Sequence, residues 1–255
     1  MFSLEFLDAL RLAELELVIN DLERGSQIIE FGAGTGTQAL SLSKRGFDVR
    51  AIDLPQSAYA KARVFPIMEY DGRQLPLNDG SVDIVYSSNV LEHVVDIPCT
   101  FDEFRRVLKP TGHGIHLMPS VAWRAWTFAA GIPTGFVAAA SMVKLLWRPV
   151  DGEMRSKSLT RLAKTFAAAL LPLGHGTSPE GISELWTFSA RSWRKRFERG
   201  GFEVIACRPS GLFHTGHMLL GPRLSIQARK SLSKWIGSAA TVYITRPIGP
   251  YGRAH

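Results

Sequence analysis

Apolar residues recur close to helical spacing from Leu4 through Leu7, Leu10, Leu15 and Val18 to Ile19, so residues 4–24 predict an amphipathic helix. Short apolar runs and helical patterns then alternate. SQIIEF (26–31) predicts a strand, GTQALSLSKRG (36–46) a helix closed by Gly46, and FDVRAIDL (47–54) a second strand. SAYAKAR (57–63) predicts a helix, VFPIMEYD (64–71) a third strand and VDIVYSS (82–88) a fourth. CTFDEFRRVLKPTG (99–112) predicts a helix stopped by Pro110 and Gly112, with HGIHLMPS (113–120) as a fifth strand. This alternation predicts an α/β fold: a doubly wound, mostly parallel sheet with helices on both faces.

The rhythm breaks after Ser120 and resumes at SARSWRKRFERGGFEVIACRP (189–209), a basic amphipathic helix, a Gly-Gly stop and a strand; ATVYITRP (240–247) supplies the last strand. The expected organisation is therefore a core whose first part is 1–120, a helical insertion over 121–185, and completion of the sheet over 186–255 with a second excursion at about 209–238. Within the insertion, AWTFAAGIPTGFVAAASMV runs 19 residues without a charge, interrupted by Pro133, and TFAAALLPLGHG (165–176) is a second apolar run. Arg124, Lys144, Arg148, Arg155, Lys157, Arg161 and Lys164 bracket these runs, and Trp123, Trp126 and Trp147 suit a membrane interface. A helical hairpin that lies on a membrane, or lids a hydrophobic acceptor pocket, fits better than a true span, which needs about 20 predominantly apolar residues.

Charge divides the chain in the same place. Residues 1–120 hold 11 Lys/Arg against 17 Asp/Glu, while residues 121–255 hold 19 against 6, so the net charge of +7 hides an acidic front and a strongly basic back. A basic half suits an anionic substrate, an anionic lipid surface or nucleic acid. Two distant cysteines, Cys99 and Cys207, exclude a disulfide scaffold, and no ligand spacing predicts a metal. The acidic N-terminal segment lacks the basic start of a secretory leader, so the expected location is cytoplasmic, with peripheral contact at the inner face of the membrane.

The chemistry concentrates in IIEFGAGTG (28–36). Glycines at 32, 34 and 36 end the first strand and precede a helix, where backbone N–H groups can meet a ligand. A dinucleotide loop wants glycine at position 37, which is Thr37, and a phosphate loop wants a lysine that is absent. Glu30 beside the loop would repel a pyrophosphate and suits a cationic ligand, while Asp53 at the end of the second strand can accept from ribose hydroxyls.

Four segments in order, IIEFGAGTG, VRAIDLP, EYDGRQLPLNDGSVDIVYSSNVLEHV and EFRRVLKPTGHGIHLMPS, resemble the class I S-adenosylmethionine-dependent methyltransferases, in the methyltransferase type 11 branch typified by quinone-biosynthesis enzymes. The resemblance implies a seven-stranded Rossmann-like sheet and S-adenosylmethionine as cofactor. It further implies that Glu30, Gly32, Ala33, Gly34 and Gly36 hold the methionine half, with Glu30 facing its ammonium, and that Asp53 takes the ribose hydroxyls. Leu54 would pack on the adenine, Asp71 and Gly72 would meet its edge near Arg73 and Leu75, and Ser87, Ser88 and Asn89 would border the methionine. The region HGTSPEG to FHTG (175–216) is also similar to methyltransferases of bacterial surface-polysaccharide and lipid-linked glycan pathways.

Methyl transfer from a sulfonium needs alignment and dryness, with a general base for some acceptors. His93 and His175 are the candidate bases, with His214 and His217 behind them. The expected acceptor is an amphipathic or anionic small molecule, lipid-linked or quinone-like, methylated on oxygen. Nucleic acid is the weaker partner: SSNVLEH lacks the Pro-Pro-aromatic run of amine methyltransferases, and Pro98-Cys99 lies too late for a cytosine enzyme. An RNA methyltransferase or a non-catalytic SAM-binding subunit are the alternatives, and the oligomeric state is not legible.

Overall fold

A computed structural model describes residues 3–147, 151–170, 183–216 and 221–249. Its elements in chain order are α1 (Leu4–Glu16), β1 (Gln27–Phe31), α2 (Thr37–Lys44), β2 (Asp48–Asp53), β3 (Ile67–Glu69), β4 (Val82–Ser88) and α3 (Ile97–Val107). There follow β5 (Leu108–Pro119), α4 (Val121–Leu146), α5 (Gly152–Leu170), α6 (Glu184–Thr187), α7 (Ala190–Arg199), β6 (Phe202–Pro209), α8 (Ile226–Ile236) and β7 (Ala240–Pro247). The strands form one seven-stranded sheet in the order β3-β2-β1-β4-β5-β7-β6, with β7 antiparallel to both its neighbours. The expected mostly parallel doubly wound sheet is thus the observed one. Chain order reverses between β1 and β4, which places the carboxyl ends of β1, β2 and β4 around a crevice.

Both sheet faces are covered. One cluster joins Phe31, Phe101, Phe104, Trp193, Phe197 and Tyr243 under α3 and α7, and another joins Leu15, Val18, Ile28, Leu42, Tyr86 and Val242 under α1 and α2. Trp193 and Phe197, four residues apart on α7, are fully buried while Arg194, Lys195 and Arg199 face outward, which accounts for the basic sequence as the solvent side of an amphipathic helix.

Three boundaries differ from the pattern-based reading. SAYAKAR forms turns and a short 3-10 segment at Ala60–Ala62 in place of a helix. The helix expected over 99–112 starts at Ile97, with Asp96 accepting from Cys99 N at 3.0 Å, and ends at Val107. Pro110 and Gly112 stop no helix; they sit in β5, where a register shift pairs Leu108 with Val82 and His113 with Ile84 and so takes up the intervening residues. Third, α4 runs unbroken through Pro133 for 26 residues and packs on α5. Part of the second apolar run, 171–176, lies outside the described residues.

Arg124 and Trp123 were expected among the residues flanking a membrane element, and both are buried. Arg124 Nε lies 2.9 Å from Glu184 on α6, and Trp123 packs against Phe188. The expectation failed because sequence spacing cannot show that α6, sixty residues later, closes over the first turn of α4.

Candidate cofactor and active site

The loop after β1 is held by backbone before any ligand is considered. Gly32 and Ala33 N–H groups donate to the Ile52 carbonyl at 2.8 and 3.0 Å, and Gly36 N–H donates to Ala33 at 2.8 Å. Gly32, Gly34 and Gly36 have φ of 72°, 58° and 76°, a region costly for side chains bearing Cβ. A Cβ at Gly32 would sit 2.4 Å from Val90 Cγ1, and one at Gly36 would sit 2.8 Å from Phe65 Cβ. The glycines therefore make a cradle with its backbone laid open, and α2 begins directly behind it.

Asp53 ties this cradle to the end of β2. Its Oδ2 accepts from Gly34 N at 2.9 Å and its Oδ1 from Leu54 N at 2.8 Å, fixing the carboxylate at the crevice. Asp53, Leu54, Gly32, Gly34, Asn89 and His93 line a cleft of about 390 Å3, and a smaller contiguous space lined by Glu30, Ala33, Thr35 and Ser88 lies beneath the loop. Asn89 adopts φ 56°, the left-handed region that Asn tolerates, and turns the chain away from β4 at the cleft.

Glu30 is buried on β1 and its Oε2 has no partner among the described residues, although Ala39 N–H donates to the carboxyl. Burial, with a smaller contribution from the Asp53 charge, pushes this carboxyl up to about 8. A buried acid with an open oxygen beneath a glycine cradle is suited to a cationic group.

Not every expected residue reaches the cleft. Ser87 is fully buried on the other side of the sheet, its Oγ 2.8 Å from His116 Nδ1, and His116 is stacked between Phe104 and Phe197. Strand alternation explains this, because Ser88 and Ser87 point to opposite faces. Asp71 caps its own turn, accepting from Arg73 N and Gln74 N at 2.8 and 2.9 Å, and does not line the cleft. Gly72 abuts Leu54 without lining the cleft, and Leu75 belongs to the core. His93 lines the cleft half-exposed, with Nε2 3.8 Å from Glu92. His175 and His217 lie outside the described residues.

Residues from distant segments complete the walls. Leu7 and Arg11 of α1, Tyr59, Trp123 of α4 and His214 all line the cleft. Arg11 Nη1 lies 2.6 Å from the buried Glu14, whose other oxygen is 3.3 Å from His214 Nε2, and Asn89 Nδ2 is 3.3 Å from the same carboxylate. Burial would raise the Glu14 carboxyl, but Arg11 and His214 outweigh it and hold it at about 2. The helical periodicity of α1 announced a helix; nothing in it pointed to a site 20 residues downstream. Among the described residues no cluster of metal-ligating side chains occurs.

Residues 29–115 match the family model described as a methyltransferase domain. The chain is similar to the malonyl-[acyl-carrier protein] O-methyltransferase of Xylella fastidiosa, 33% identical over 94 residues that make up 33% of this chain and 32% of that protein. It is also similar to the demethylmenaquinone methyltransferase of Corynebacterium efficiens, 35% identical over 94 residues, 36% of this chain and 41% of that protein. The chain thus spans less than half the length of these curated relatives. An S-adenosylmethionine-dependent methyltransferase from Mesorhizobium loti has the same fold, with a TM-score of 0.53 at 19% identity over 92% of this chain and 97% of that one. The matched segment begins in β1 and ends within β5, so it contains the cradle, Asp53 and His93 but neither α1 nor the α4–α5 hairpin.

Proposed function

We propose that this chain transfers the methyl group of S-adenosylmethionine to an oxygen of an amphipathic or anionic small molecule. The observation that carries the reading is the glycine cradle tied to Asp53 and underlain by the open oxygen of Glu30. These residues fit the cofactor: Glu30 would face its ammonium, Gly32, Ala33, Gly34 and Gly36 would admit its methionine chain, and Asp53 would accept from its ribose hydroxyls, with Leu54 and Tyr59 as walls. When bound, the cofactor supplies an electrophilic methyl whose bond to sulfur breaks as the bond to the acceptor oxygen forms. His93 takes the acceptor's proton. Burial and the nearby Arg11 charge hold its imidazole below the ordinary value, so it is neutral at pH 7 and can accept. Trp123, Pro119 and His214 form the acceptor end, where an apolar wall excludes water and aligns the two oxygen–carbon partners. Peripheral contact with a membrane through α4 and α5 belongs to the same reading.

Titration with S-adenosylhomocysteine and with NAD, followed by radiolabelled methyl transfer to quinone and lipid extracts, tests this. Binding of NAD without the homocysteine product would reassign the site to an oxidoreductase. His93→Ala is expected to lower the transfer rate about a hundredfold while leaving S-adenosylhomocysteine affinity unchanged.

Glu30 gives a separate signature. At pH 7 its carboxyl holds a proton, since burial lifts it from 4.5 to about 8. A ligand ammonium favours the carboxylate, so binding expels a proton and affinity rises between pH 6 and 8. In the free protein the sign is opposite: stability falls as pH climbs from the ordinary carboxyl value to about 8, because the unfolded chain ionises this carboxyl freely while burial keeps it protonated in the fold. Calorimetry in buffers of different ionisation enthalpy should show proton release for wild type and none for Glu30→Gln; equal release in both removes Glu30 from the site.

A further inference from the structure

Glu14 of α1 is fully buried and lines neither space of the site, yet three cleft-lining side chains meet on it. Its Oε2 accepts from Arg11 Nη1 at 2.6 Å and from Asn89 Nδ2 at 3.3 Å, and its Oε1 lies 3.3 Å from His214 Nε2. The three come from α1, from the turn after β4 and from the segment between β6 and α8. Arg11 and Asn89 also line the smaller space beneath the glycine loop, whereas His214 belongs to the cleft alone. One carboxylate thus touches both ends of the site. Arg11, Glu14 and His214 all lie outside the matched segment 29–115.

The backbone around these partners is held without Glu14. Gln38 Nε2 donates to the Arg11 carbonyl at 2.8 Å and Thr35 Oγ1 donates to Asp8 Oδ1 at 3.1 Å, which stitches α1 to α2 and to the loop. Phe213 N–H donates to Arg229 O at 3.3 Å and Gly216 N–H to Thr127 Oγ1 at 2.9 Å, fixing the chain on either side of His214. An apolar side chain at position 14 would anchor the helix as well, since a buried carboxylate is costly. What Glu14 adds is polarity. Arg11 and His214 outweigh burial and keep it ionised, so it can only accept. The His214 hydrogen must therefore sit on Nε2. Nδ1 of the neutral ring is left as a hydrogen-bond acceptor with no partner among the described residues. His214 is 6% exposed and lines the cleft, so a donor for Nδ1 comes from there.

We infer that Glu14 is a positioning residue: it commits the Nε2–H of His214 and so presents Nδ1 to a hydroxyl or N–H group of the methyl-accepting molecule. The inference rests on the methyltransferase reading for what fills the cleft, and it leaves the transferred proton to His93. It adds a demand on the substrate, which has to offer His214 a donor besides the oxygen that is methylated. A bare carbonyl or ionised phosphate oxygen at that place would meet a lone pair, so it is selected against.

NMR of the full chain labelled with 15N-histidine tests the positioning first. Wild type is expected to show a ring N–H on Nε2 of His214 that is protected from solvent exchange, assigned by its loss in His214→Asn. Glu14→Gln should lose that protection about tenfold or more, because a neutral amide holds the N–H less tightly than a carboxylate does. Transfer of labelled methyl to quinone and lipid extracts gives the second readout. Glu14→Gln and His214→Asn should each slow it about tenfold, and the double variant no further than either, since one residue acts through the other. Absence of the protected N–H in wild type, equal protection in Glu14→Gln, or a double variant that adds the two losses would each overturn the inference. The first readout needs neither cofactor nor substrate, so it holds even where wild type fails to bind S-adenosylhomocysteine, a result that would fall on the cofactor reading alone. If Glu14→Gln does not fold, wild type and His214→Asn still decide through the same N–H.

Discussion

Replacing Asp53 by Ala is expected to weaken S-adenosylhomocysteine binding about a hundredfold or more. The carboxylate is already positioned by Gly34 N and Leu54 N, so a ligand meets it without reorganisation. In the proposed complex it accepts from two ribose hydroxyls, each such charged hydrogen bond contributing about 1.5–3 kcal/mol, and 3 kcal/mol alone exceeds a hundredfold. Removing it also frees the Gly34 turn, which adds to the loss. Asp53→Asn keeps acceptor capacity but loses charge, and should fall between the two. Calorimetry on all three proteins decides: equal affinity for wild type and Asp53→Ala would sink the ribose assignment.

The largest effect on stability is expected at Gly32. An alanine there meets two penalties at once, a φ of 72° and a Cβ 2.4 Å from Val90 Cγ1. The backbone penalty is about 1–2 kcal/mol and overpacking adds about 1–3, so Gly32→Ala should lose roughly 2–5 kcal/mol in urea unfolding. Val90→Ala in the same chain relieves the clash but not the dihedral, so the double variant should recover part of the loss and never all of it. A change below about 0.5 kcal/mol in the single variant would mean that the loop is not held as described.

The outcome at particular residues shows where sequence reasoning reaches. The cradle and the positions of Glu30 and Asp53 were legible because they follow from short-range grammar: a strand end, glycines at alternate positions, an acid at the end of the next strand. Ser87 was misplaced by one step of strand alternation. Asp71 and Gly72 were placed by resemblance in a turn that the structure keeps off the cleft wall. Arg11 and Glu14 form one network with His214, 200 residues beyond Glu14, and no local pattern encodes such a meeting. Proline inside a helix ordinarily removes a hydrogen bond and crowds the preceding turn, which is why the sequence pattern breaks at Pro133. The structure carries α4 straight through it, with α5 packed alongside.

By itself, then, the chain's order of apolar and polar residues determined the alternation of strands and helices, and with it the doubly wound sheet and the glycine loop at its switch point. These depend on periodicity and on dihedral preferences, which act within a few residues. Tertiary structure alone decided which wall Arg11, Trp123 and His214 join, that Arg124 is buried on Glu184, and which face of α4 is left bare. Those are properties of packing between segments far apart in the chain, where the burial of one side chain is set by what another segment happens to cover.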